Sequence, residues 1–487
     1  MPTHPAPLPP AGVVPFGPLP AKRRLAIERQ EMPERDTESR SRCFEEVNLG
    51  FDAELALLEA QRCLLCTKAH CVRECPVAVD IPGFIRRVAE GDLHAAAELL
   101  LDGNALPGVT GRVCPQETQC EGACPRGRTL RGVPGRPVGI GYLERYVADW
   151  AAANRHEVPP PAPPSGRRVA VVGSGPAGLT AAGELVRAGH QVTVFEAFHE
   201  PGGVLVYGIP EFRLPKAIVH REVARLVAQG VRIECNAVIG RTFTLPELRT
   251  GYDAVFVAVG AGLPVFLDIP GENLKGVYSA NEYLTRVNLM GAWRPDAETP
   301  VLAGRRVAVV GGGNVAMDAV RTARRLGAEE AVIVYRRSRA ELPARAEEVH
   351  HGEAEGVRFA FLTAPVRVLG DERRWVTGLE CRRMELGEPD ESGRRRPVEV
   401  PGSEHVLPCD VVVVAVGTRA NPLLTSTAPD LLLDRRGYIE TDADGQSSMP
   451  GVFAGGDIVR GAATVILAMG DGKRISASVD RYLATAR

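Results

Sequence analysis

Short apolar runs alternate with helical patterns over the last two thirds of the chain. The runs at 168–172 and 306–310 are both RVAVV, and each precedes a glycine-rich turn and apolar residues at helical spacing. The runs VFVAVGA (255–261) and VVVVAVGT (411–418) have the length and composition of buried strands. Strands that alternate with helices in this way predict an α/β fold built on parallel sheets.

The first third of the chain has a helical pattern instead. Four segments have apolar residues at helical spacing. The third of them begins with Asp92, which is a suitable N-cap. These segments are FDAELALLEAQRC, IPGFIRRVAEG, DLHAAAELLLDG and GIGYLERYVADWAAA. We therefore predict an all-α domain over 23–156. A proline-rich tail over 1–22 is expected to be disordered, and the proline-rich stretch 157–166 is predicted to be a linker.

A repeat relates the two α/β parts to each other. The heptapeptide RRVAVVG begins at Arg167 and again at Arg305. Both copies have the pattern of a strand, a glycine turn and a helix. The simplest explanation is a pair of Rossmann-like nucleotide-binding units of the same design.

The first glycine turn matches G-x-G-x-x-G at Gly173, Gly175 and Gly178. These glycines allow a tight turn, close approach of a pyrophosphate and close packing of the following helix. The next strand ends at Glu196, where an acidic residue accepts hydrogen bonds from a ribose 2′-hydroxyl. The first unit is therefore predicted to bind a dinucleotide with a free 2′-hydroxyl.

The second turn has Gly311, Gly313 and Ala316 at the corresponding positions. Its second strand ends at Arg336 and Arg337 instead of an acid. Guanidinium groups pair with a 2′-phosphate, which a carboxylate would repel. The pattern predicts that the second unit binds NADP(H). The alternative is that the two arginines only lie at a solvated strand end.

Two units of one design predict two ligands, and we assign FAD to the first. A second flavin-contacting segment is then expected near the carboxyl terminus, and GVFAGGDIVRGAATVILAMGDG matches it. There Gly456 and Asp457 follow a buried strand, and the carboxylate could hold the flavin's ribityl chain.

We interpret 255–261 and 411–418 as the strands by which the chain leaves and re-enters the flavin domain. The predicted FAD-binding domain is 167–280 with 411–487, and the NADP-binding domain, 281–410, is inserted in it.

Composition and charge are those of an ordinary globular protein. Hydrophobic residues make up 45% of the 487 positions, and the formal net charge is −2. Neither nucleic acid nor a membrane is expected as a partner, because both select a basic excess. No apolar stretch approaches the ~18 residues of a membrane helix. Without the pattern of a signal peptide, we expect a cytoplasmic protein with reduced thiols.

Seven of the eleven cysteines fall in two runs that each end at Cys-Pro. The spacing is C-x2-C-x4-C-x3-C-P over 63–76 and C-x5-C-x3-C-P over 114–125. Zinc favours paired sets of four ligands, whereas seven thiols suit two [4Fe-4S] clusters that lack one thiolate. Zinc and a structural thiol cluster are the alternatives. Since the cysteine before proline ligates the other cluster in ferredoxin runs, Cys63, Cys66 and Cys71 would hold one cluster and Cys75 would help hold the second.

Taken together, these motifs resemble the small-subunit family of NADPH glutamate synthase, from about residue 40 to the carboxyl terminus. The cysteine runs, GGVLVYGIPEFRLPK (202–216) and VYRRSRAELPARAEE (334–348) carry the resemblance. EVNLGF, LGEPDESGRRRP and GGDIVRGAATVILAMGDG are especially similar to the large subunit of NADH-dependent ferredoxin:NADP oxidoreductase and to the sulfide dehydrogenase alpha subunit. The amino-terminal half of dihydropyrimidine dehydrogenase has the same plan.

The resemblance implies individual cluster ligands and flavin contacts. One cluster would be held by Cys63, Cys66, Cys71 and Cys124, and the other by Cys75, Cys114, Cys120 and Glu144. Relatives carry Glu or Gln at the place of Glu144, for which a surface helix position is the alternative. Arg213 of the FRLP motif resembles a flavin contact. Gly202 and Gly203 complete the predicted cofactor-binding residues.

The implied activity is that of an NADPH-dependent FAD and iron–sulfur oxidoreductase. NADPH would reduce FAD, and single electrons would then pass through the clusters to a second redox subunit. No acid–base residue is predicted. The partner would be the glutamate synthase large subunit or, in an electron-bifurcating complex, a ferredoxin-reductase-like flavoprotein. A non-catalytic iron–sulfur assembly module is the alternative of another class.

Overall fold

A helical part precedes two α/β units, the second inserted into the first, in the structure, a computed structural model that describes residues 19–128, 135–156, 160–390 and 393–485. Of the predicted tail, residues 1–18 lie outside the described residues, as do 157–159 of the predicted linker. The first described helix begins at Ala21, inside the range assigned to the tail.

The amino-terminal part is built of helices that begin at caps supplied by the sequence. The carboxylates of Asp52, Asp80 and Asp92 each accept a hydrogen bond from the backbone N–H three residues later, at 2.9–3.0 Å. The helices are α1 (Ala21–Ala26), α2 (Thr37–Arg40), α3 (Ala53–Gln61), α4 (His70–Arg73), α5 (Ile81–Glu90), α6 (Leu93–Gly103), α7 (Pro107–Val113) and α8 (Ile140–Ala153).

The first α/β unit is a parallel sheet that is buried on both faces. Its elements are β1 (Arg168–Val172), α9 (Pro176–Arg187), β2 (Gln191–Phe195), α10 (Val204–Tyr207), α11 (Lys216–Ala228), β3 (Arg232–Glu234), α12 (Leu245–Gly251), β4 (Ala254–Val257), α16 (Pro422–Thr425), β16 (Val452–Ala454), α17 (Asp457–Arg460) and α18 (Val465–Thr485). The strand order is β16-β4-β1-β2-β3. Val169 and Val171 face the cluster that contains α9 and α18, while Ala170 and Val172 face the cluster on the side of α12. Burial on both faces explains why β1 is continuously apolar.

The second α/β unit repeats this design with its own parallel sheet. Its elements are β6 (Val277–Ser279), α13 (Ala280–Asn288), β7 (Arg306–Val310), α14 (Asn314–Arg325), β8 (Glu330–Tyr335), α15 (Ala346–Ala354), β9 (Arg358–Phe361) and β14 (Val411–Val414). The strand order is β6-β14-β7-β8-β9. An antiparallel sheet, absent from the sequence prediction, is attached to it and contains β10 (Thr363–Gly370), β11 (Val376–Pro389), β12 (Arg395–Glu399) and β13 (His405–Pro408).

The structure moves both predicted boundaries of the inserted domain. β14 pairs in parallel with β6 and β7, so 411–414 lies in the second sheet and not in the flavin sheet. The two crossings between the units lie side by side, where β5 (Leu263–Pro264) pairs antiparallel with β15 (Thr418–Arg419). The first crossing therefore comes earlier in the chain than predicted, and the second comes later. A buried parallel strand has the same apolar composition in either sheet, so the sequence pattern could not assign 411–414 to one of them.

The helical part and the first unit share one hydrophobic core. A single cluster of buried residues extends from Phe84 and Leu143 of the helices to Leu179 and Val479 of α9 and α18. Lys473 of α18 donates hydrogen bonds to the carbonyl oxygens of Val77 (3.0 Å) and Gly103 (2.8 Å). The cysteine-bearing loops are therefore fixed against the first unit.

Among the described helices, none has both the length and the apolar character that a bilayer span requires.

Candidate functional site

The turn after β1 has the geometry of a phosphate-binding loop. Gly173 has a φ of +101°, and a Cβ atom there would lie 2.5 Å from the carbonyl oxygen of Ala258. A Cβ on Gly178 would lie 1.9 Å from the Gly173 carbonyl oxygen, so α9 packs this closely only with glycine. A Cβ on Gly175 would meet no atom within 4 Å. The backbone at Gly175 is open to a ligand at the start of α9, as a pyrophosphate requires.

Glu196 fixes this turn to the end of β2. Its carboxylate accepts hydrogen bonds from the backbone N–H groups of Ser174 and Phe198, each at 2.9 Å, and also from the Ser174 hydroxyl. The residue is only 5% exposed. The structure therefore gives Glu196 a positioning role at the turn, and its hydrogen bond to a ribose stays a prediction.

Two further glycine segments approach the same turn. Gly203 has a φ of +55°, and a Cβ on it would lie 2.9 Å from the Cα of Gly175. Its neighbour Gly202 has a φ of +130°. A Cβ on Gly456, which precedes α17, would lie 3.1 Å from the Cβ of Ala177 in α9. The predicted flavin segments thus converge at one end of the first sheet.

Asp457 has one carboxylate oxygen without a partner. Its Oδ1 atom is buried and has no hydrogen-bond partner in the described structure. Burial raises the pKa of this carboxyl group to about 6. Buried polar atoms are normally paired, and a ribityl hydroxyl of FAD is a donor of the required kind. The residues of the first unit therefore fit FAD.

The second unit repeats the open turn. Gly311 has a φ of +142°, and a Cβ on it would lie 2.3 Å from the carbonyl oxygen of Ala415. A Cβ on Gly313 would meet no atom within 4 Å. Ala316 is fully buried in α14 at the position of the third glycine. The turn therefore combines a tight backbone with an open approach to the start of α14.

The structure separates the two predicted phosphate-binding arginines. Arg337 is buried, with Nη2 donating to Asp390 at 2.5 Å and Nε donating to the carbonyl oxygen of Arg395 at 2.8 Å. Arg336 is exposed at the end of β8. Arg337 thus connects β8 with the antiparallel sheet, and Arg336 is the one available to a ligand.

Arg213 has its guanidinium in ion pairs with the second unit and not in an open cradle. Nη1 donates to the two carboxylate oxygens of Asp318 at 2.7 and 2.8 Å, and Nε lies 3.0 Å from Oε1 of Glu348. Burial alone would lower the pKa of Arg213, but these carboxylates raise it above its ordinary value. The motif that suggested a flavin contact therefore supplies a buried junction between the two units.

Four of the predicted cluster ligands form what we call the first cysteine group. The thiols of Cys63 and Cys71 each have Cys66 and Cys124 among their electrostatic neighbours. Burial, together with these thiols, raises the pKa of Cys63 to about 11 and that of Cys71 to about 12. The pairing of distant residues such as Cys63 and Cys124 comes from the fold and not from the local run.

The other predicted ligands form the second cysteine group. Cys114 and Cys120 are buried, and burial raises the pKa values of both thiols well above the usual range. Glu144 and Cys75 raise both pKa values further, Cys120 adds to the effect on Cys114, and Glu121 adds to the effect on Cys120. Glu144, on α8, is thereby beside thiols and not on an open helix surface.

Two polar residues that the sequence did not indicate hold Glu144 in place. Asn104 and Thr110 donate to its Oε1 atom at 2.8 and 2.5 Å. Burial raises the pKa of Glu144 to about 7, although these two hydrogen bonds lower it. Both donors address one carboxylate oxygen, so the other remains for the cysteine group.

The two cysteine groups fit clusters better than single metal ions. Across the described ranges, no three His, Cys, Asp or Glu side chains converge closely enough to hold one ion. That geometry does not suit tetrahedral zinc. In a [4Fe-4S] cluster, each ligand binds a different iron, so the ligands surround the cluster without meeting at a point. All seven thiols are free.

The groups differ in depth. Three of the four thiols of the first group, those of Cys63, Cys66 and Cys71, are half-buried, and only that of Cys124 is buried. In the second group, Cys114 and Cys120 are buried and only Cys75 is half-buried. Pro76, which follows Cys75, lies against α18, where a Cβ on Gly470 would be 2.9 Å from it. The second group therefore lies toward the first α/β unit and the first group toward the surface.

Comparisons with known proteins agree with this division. A family model described as pyridine nucleotide-disulphide oxidoreductase matches residues 134–472. One described as dihydropyrimidine dehydrogenase domain II, 4Fe-4S cluster, matches residues 40–156. FprA from Mycobacterium tuberculosis, solved in complex with NADPH, aligns with a TM-score of 0.56 at 25% identity over 67% of this chain and 86% of that chain.

Sequence relatives cover nearly the whole chain. It is 39% identical over 467 residues to a glutamate synthase (NADPH) small chain from Halomonas elongata, which covers 94% of this chain and 97% of the relative. It is 41% identical over 440 residues to the NADP(+)-dependent formate dehydrogenase subunit beta from Moorella thermoacetica, but it spans only 60% of that relative. These matches confirm the predicted family and fold class. The chain belongs to the glutamate synthase small-chain family, in which a 4Fe-4S domain precedes a pyridine nucleotide-disulphide oxidoreductase.

Proposed function

We propose that the chain is an electron-input subunit that oxidises NADPH and delivers single electrons to a partner subunit. The observation that carries the proposal is the presence in one chain of two open glycine turns and two groups of free thiols. When bound, FAD accepts a hydride from NADPH and passes electrons one at a time to iron–sulfur clusters. The glutamate synthase (NADPH) small chains among the relatives support this assignment.

The proposed site residues of the first unit bind FAD and take no part in the redox chemistry. The open backbone at Gly175 receives the pyrophosphate, and the unpartnered Oδ1 of Asp457 accepts a ribityl hydroxyl. Glu196 holds the turn in the required shape through Ser174. Orientation of the two redox rings provides the catalysis, so no acid–base side chain is required.

In the second unit, Gly313 and Arg336 are the proposed NADP(H) contacts. Gly313 leaves space for the pyrophosphate at the start of α14. Arg336 is exposed where the ribose 2′-phosphate is expected. Because Arg337 is already paired with Asp390, preference for NADPH depends on Arg336.

We assign two [4Fe-4S] clusters to the helical domain. The first cysteine group supplies four thiolates to one cluster. The second group supplies the thiolates of Cys75, Cys114 and Cys120 to the other, with the Glu144 carboxylate as the fourth ligand. The hydrogen bonds from Asn104 and Thr110 hold that carboxylate in position.

The partner is proposed to be the large subunit of a cytoplasmic glutamate synthase. A small ferredoxin-reductase-like flavoprotein is the second candidate. Relatives named as subunits support the need for a partner, including an NADPH-Fe(3+) oxidoreductase subunit beta from Geobacter sulfurreducens, 38% identical over 444 residues. This chain covers only 64% of that relative's length, so we do not assign the relative's substrates to this chain.

Spectroscopy of anaerobically purified protein tests the proposal. We expect a flavin spectrum that NADPH bleaches, together with about eight iron and eight sulfide per chain for two [4Fe-4S] clusters. Flavin that NADPH fails to bleach would refute the enzyme assignment and favour an assembly module. Zinc with little iron would refute the clusters. Copurification from the native cell then identifies the partner.

A further inference from the structure

The surface around the first cysteine group is strongly basic, although the whole chain is slightly acidic. Three segments surround the group, residues 20–28, 63–75 and 124–128, and they contain seven Lys and Arg against two Glu. The complete chain has 58 Lys and Arg against 60 Asp and Glu. The basic excess is therefore local to this surface.

Hydrogen bonds join these segments into one surface. Arg24 of α1 donates from Nη1 to the carbonyl oxygen of Cys63 at 2.7 Å. Arg126 donates to the carbonyl oxygens of Arg24 (3.2 Å) and Ile27 (2.9 Å). Helix α1 thus lies between the loop of Cys63 and the turn after Cys124, and its charges belong to the same face as theirs.

Most of these charges point to solvent. The exposed cations are Lys22, Arg23, Lys68, Arg73 and Arg128. Of the two acids in these segments, Glu28 is exposed, and Glu74 pairs with Arg73 at 3.6 Å. Both side chains of that pair are more than half exposed, so solvent weakens it. Leu25 of α1 is 53% exposed among the cations. The surface therefore has an apolar point within a basic rim.

We propose that this surface, the basic docking surface, binds an acidic iron–sulfur protein or domain that accepts electrons from the first cysteine group. The proposal rests on the proposed function. Transient redox interfaces are small, and opposite charges accelerate and orient such encounters. For each NADPH oxidised to NADP+, one proton is released to water and two oxidised acceptors each gain one electron.

The location follows from the depth of the two cysteine groups. Cys114 and Cys120 are buried, and the loop of Cys75 lies against α18. In the first group only Cys124 is buried, and the half-buried thiols of Cys63, Cys66 and Cys71 are bordered by the basic rim. An external acceptor therefore approaches the first group more closely than the second.

Charge reversal in α1 tests the docking surface without touching a proposed ligand. The test variant is Lys22→Glu with Arg23→Glu. The matched control, Arg373→Glu with Arg396→Glu, reverses two exposed cations near or within the antiparallel sheet. Cluster-loaded, FAD-loaded protein is mixed with NADPH and either an acidic [2Fe-2S] ferredoxin or basic cytochrome c. Binding of the oxidised proteins is also measured as a function of salt, because it needs no NADPH.

We expect ferredoxin reduction by the test variant to fall at least tenfold at low ionic strength. The difference should disappear near 1 M salt, where the screening length is about 3 Å. Reduction of cytochrome c should increase, and the control should match the wild type with both acceptors. Equal behaviour of test and control variants, or a wild-type ferredoxin rate that rises with salt, would overturn the proposal. Failed NADPH oxidation with salt-sensitive ferredoxin binding would instead refute the proposed function alone.

Discussion

Glu355 is the central carboxylate of a buried ion-pair network, and we expect Glu355→Gln to destabilise the second unit strongly. Its carboxylate receives two hydrogen bonds from Arg321, at 2.7 and 2.9 Å, and two from Arg325 at the same distances. All three side chains are fully buried. The substitution leaves Arg321 with Glu348, but it leaves Arg325 without a carboxylate partner among the described contacts.

The pKa of Glu355 gives the expected magnitude. Burial alone would raise it, but hydrogen bonds and charge from Arg325 and Arg321 lower the pKa from 4.5 to about 2. At 1.36 kcal/mol per pKa unit, this difference corresponds to about 3 kcal/mol of folding stability. Breaking a buried ion pair by removing one partner costs roughly 3–5 kcal/mol, which agrees.

The sign of the pH dependence follows from the lowered pKa. The folded state binds the proton of Glu355 more weakly than the unfolded state does. The contribution is therefore fully present above about pH 5 and is lost as the pH falls toward about 2. The stability difference between wild type and Glu355→Gln should shrink over that interval.

Calorimetry of the cofactor-loaded chain measures the effect against a matched control. For a unit of this size, about 3 kcal/mol lowers the melting temperature of its transition by roughly 6–12 °C. Glu353→Gln removes a carboxylate from the same helical region, but its pair with Arg339 is exposed. An exposed pair contributes less than about 1 kcal/mol. If both variants melted together, or if Glu355→Gln melted at the wild-type temperature, the assignment of stability to the buried network would be refuted.

Three further predictions address the cofactor sites. Gly178→Ala should abolish FAD retention and lower stability, because its Cβ would lie 1.9 Å from a carbonyl oxygen. Gly175→Ala should keep wild-type stability and only weaken FAD binding, and flavin absorbance and melting curves distinguish the two variants. Arg336→Ala should raise KM for NADPH roughly tenfold with little change for NADH, while Arg337→Ala should lower stability instead, and equal kinetic effects would contradict this division. Glu144→Ala should lose about half of the bound iron and Glu144→Gln should retain it, and full iron in the alanine variant would exclude Glu144 as a ligand.

The cofactor turns are predictable because their information is local. A tight turn, an open approach and close helix packing each need glycine at a fixed offset, as at Gly173, Gly175 and Gly178. The sequence pattern alone therefore locates both turns. The division of the cysteines, in contrast, comes from the family resemblance, because Cys124 joins Cys63 only through the fold.

The rest of the arrangement depends on contacts between distant segments. The sequence does not distinguish Arg336 from Arg337. Only the fold shows that Arg337 is paired, because its partner Asp390 lies 53 residues later. Arg213 meets Asp318 across 105 residues. No local pattern contains such partners, so the sequence motif assigns Arg213 to the flavin and does not indicate the junction.

The first unit is joined to the helical domain by one kind of junction and to the second unit by another. One continuous hydrophobic core joins the helical domain to this unit, so the second cysteine group and the flavin turn keep a fixed separation. The second unit has separate cores and is joined by β5 with β15, a small apolar cluster around Phe212, and ion pairs such as Arg213 with Asp318. Polar junctions permit relative motion more readily than a shared core does. Under the proposed function, only electrons cross the shared core, whereas NADP(H) enters and leaves at the polar junction.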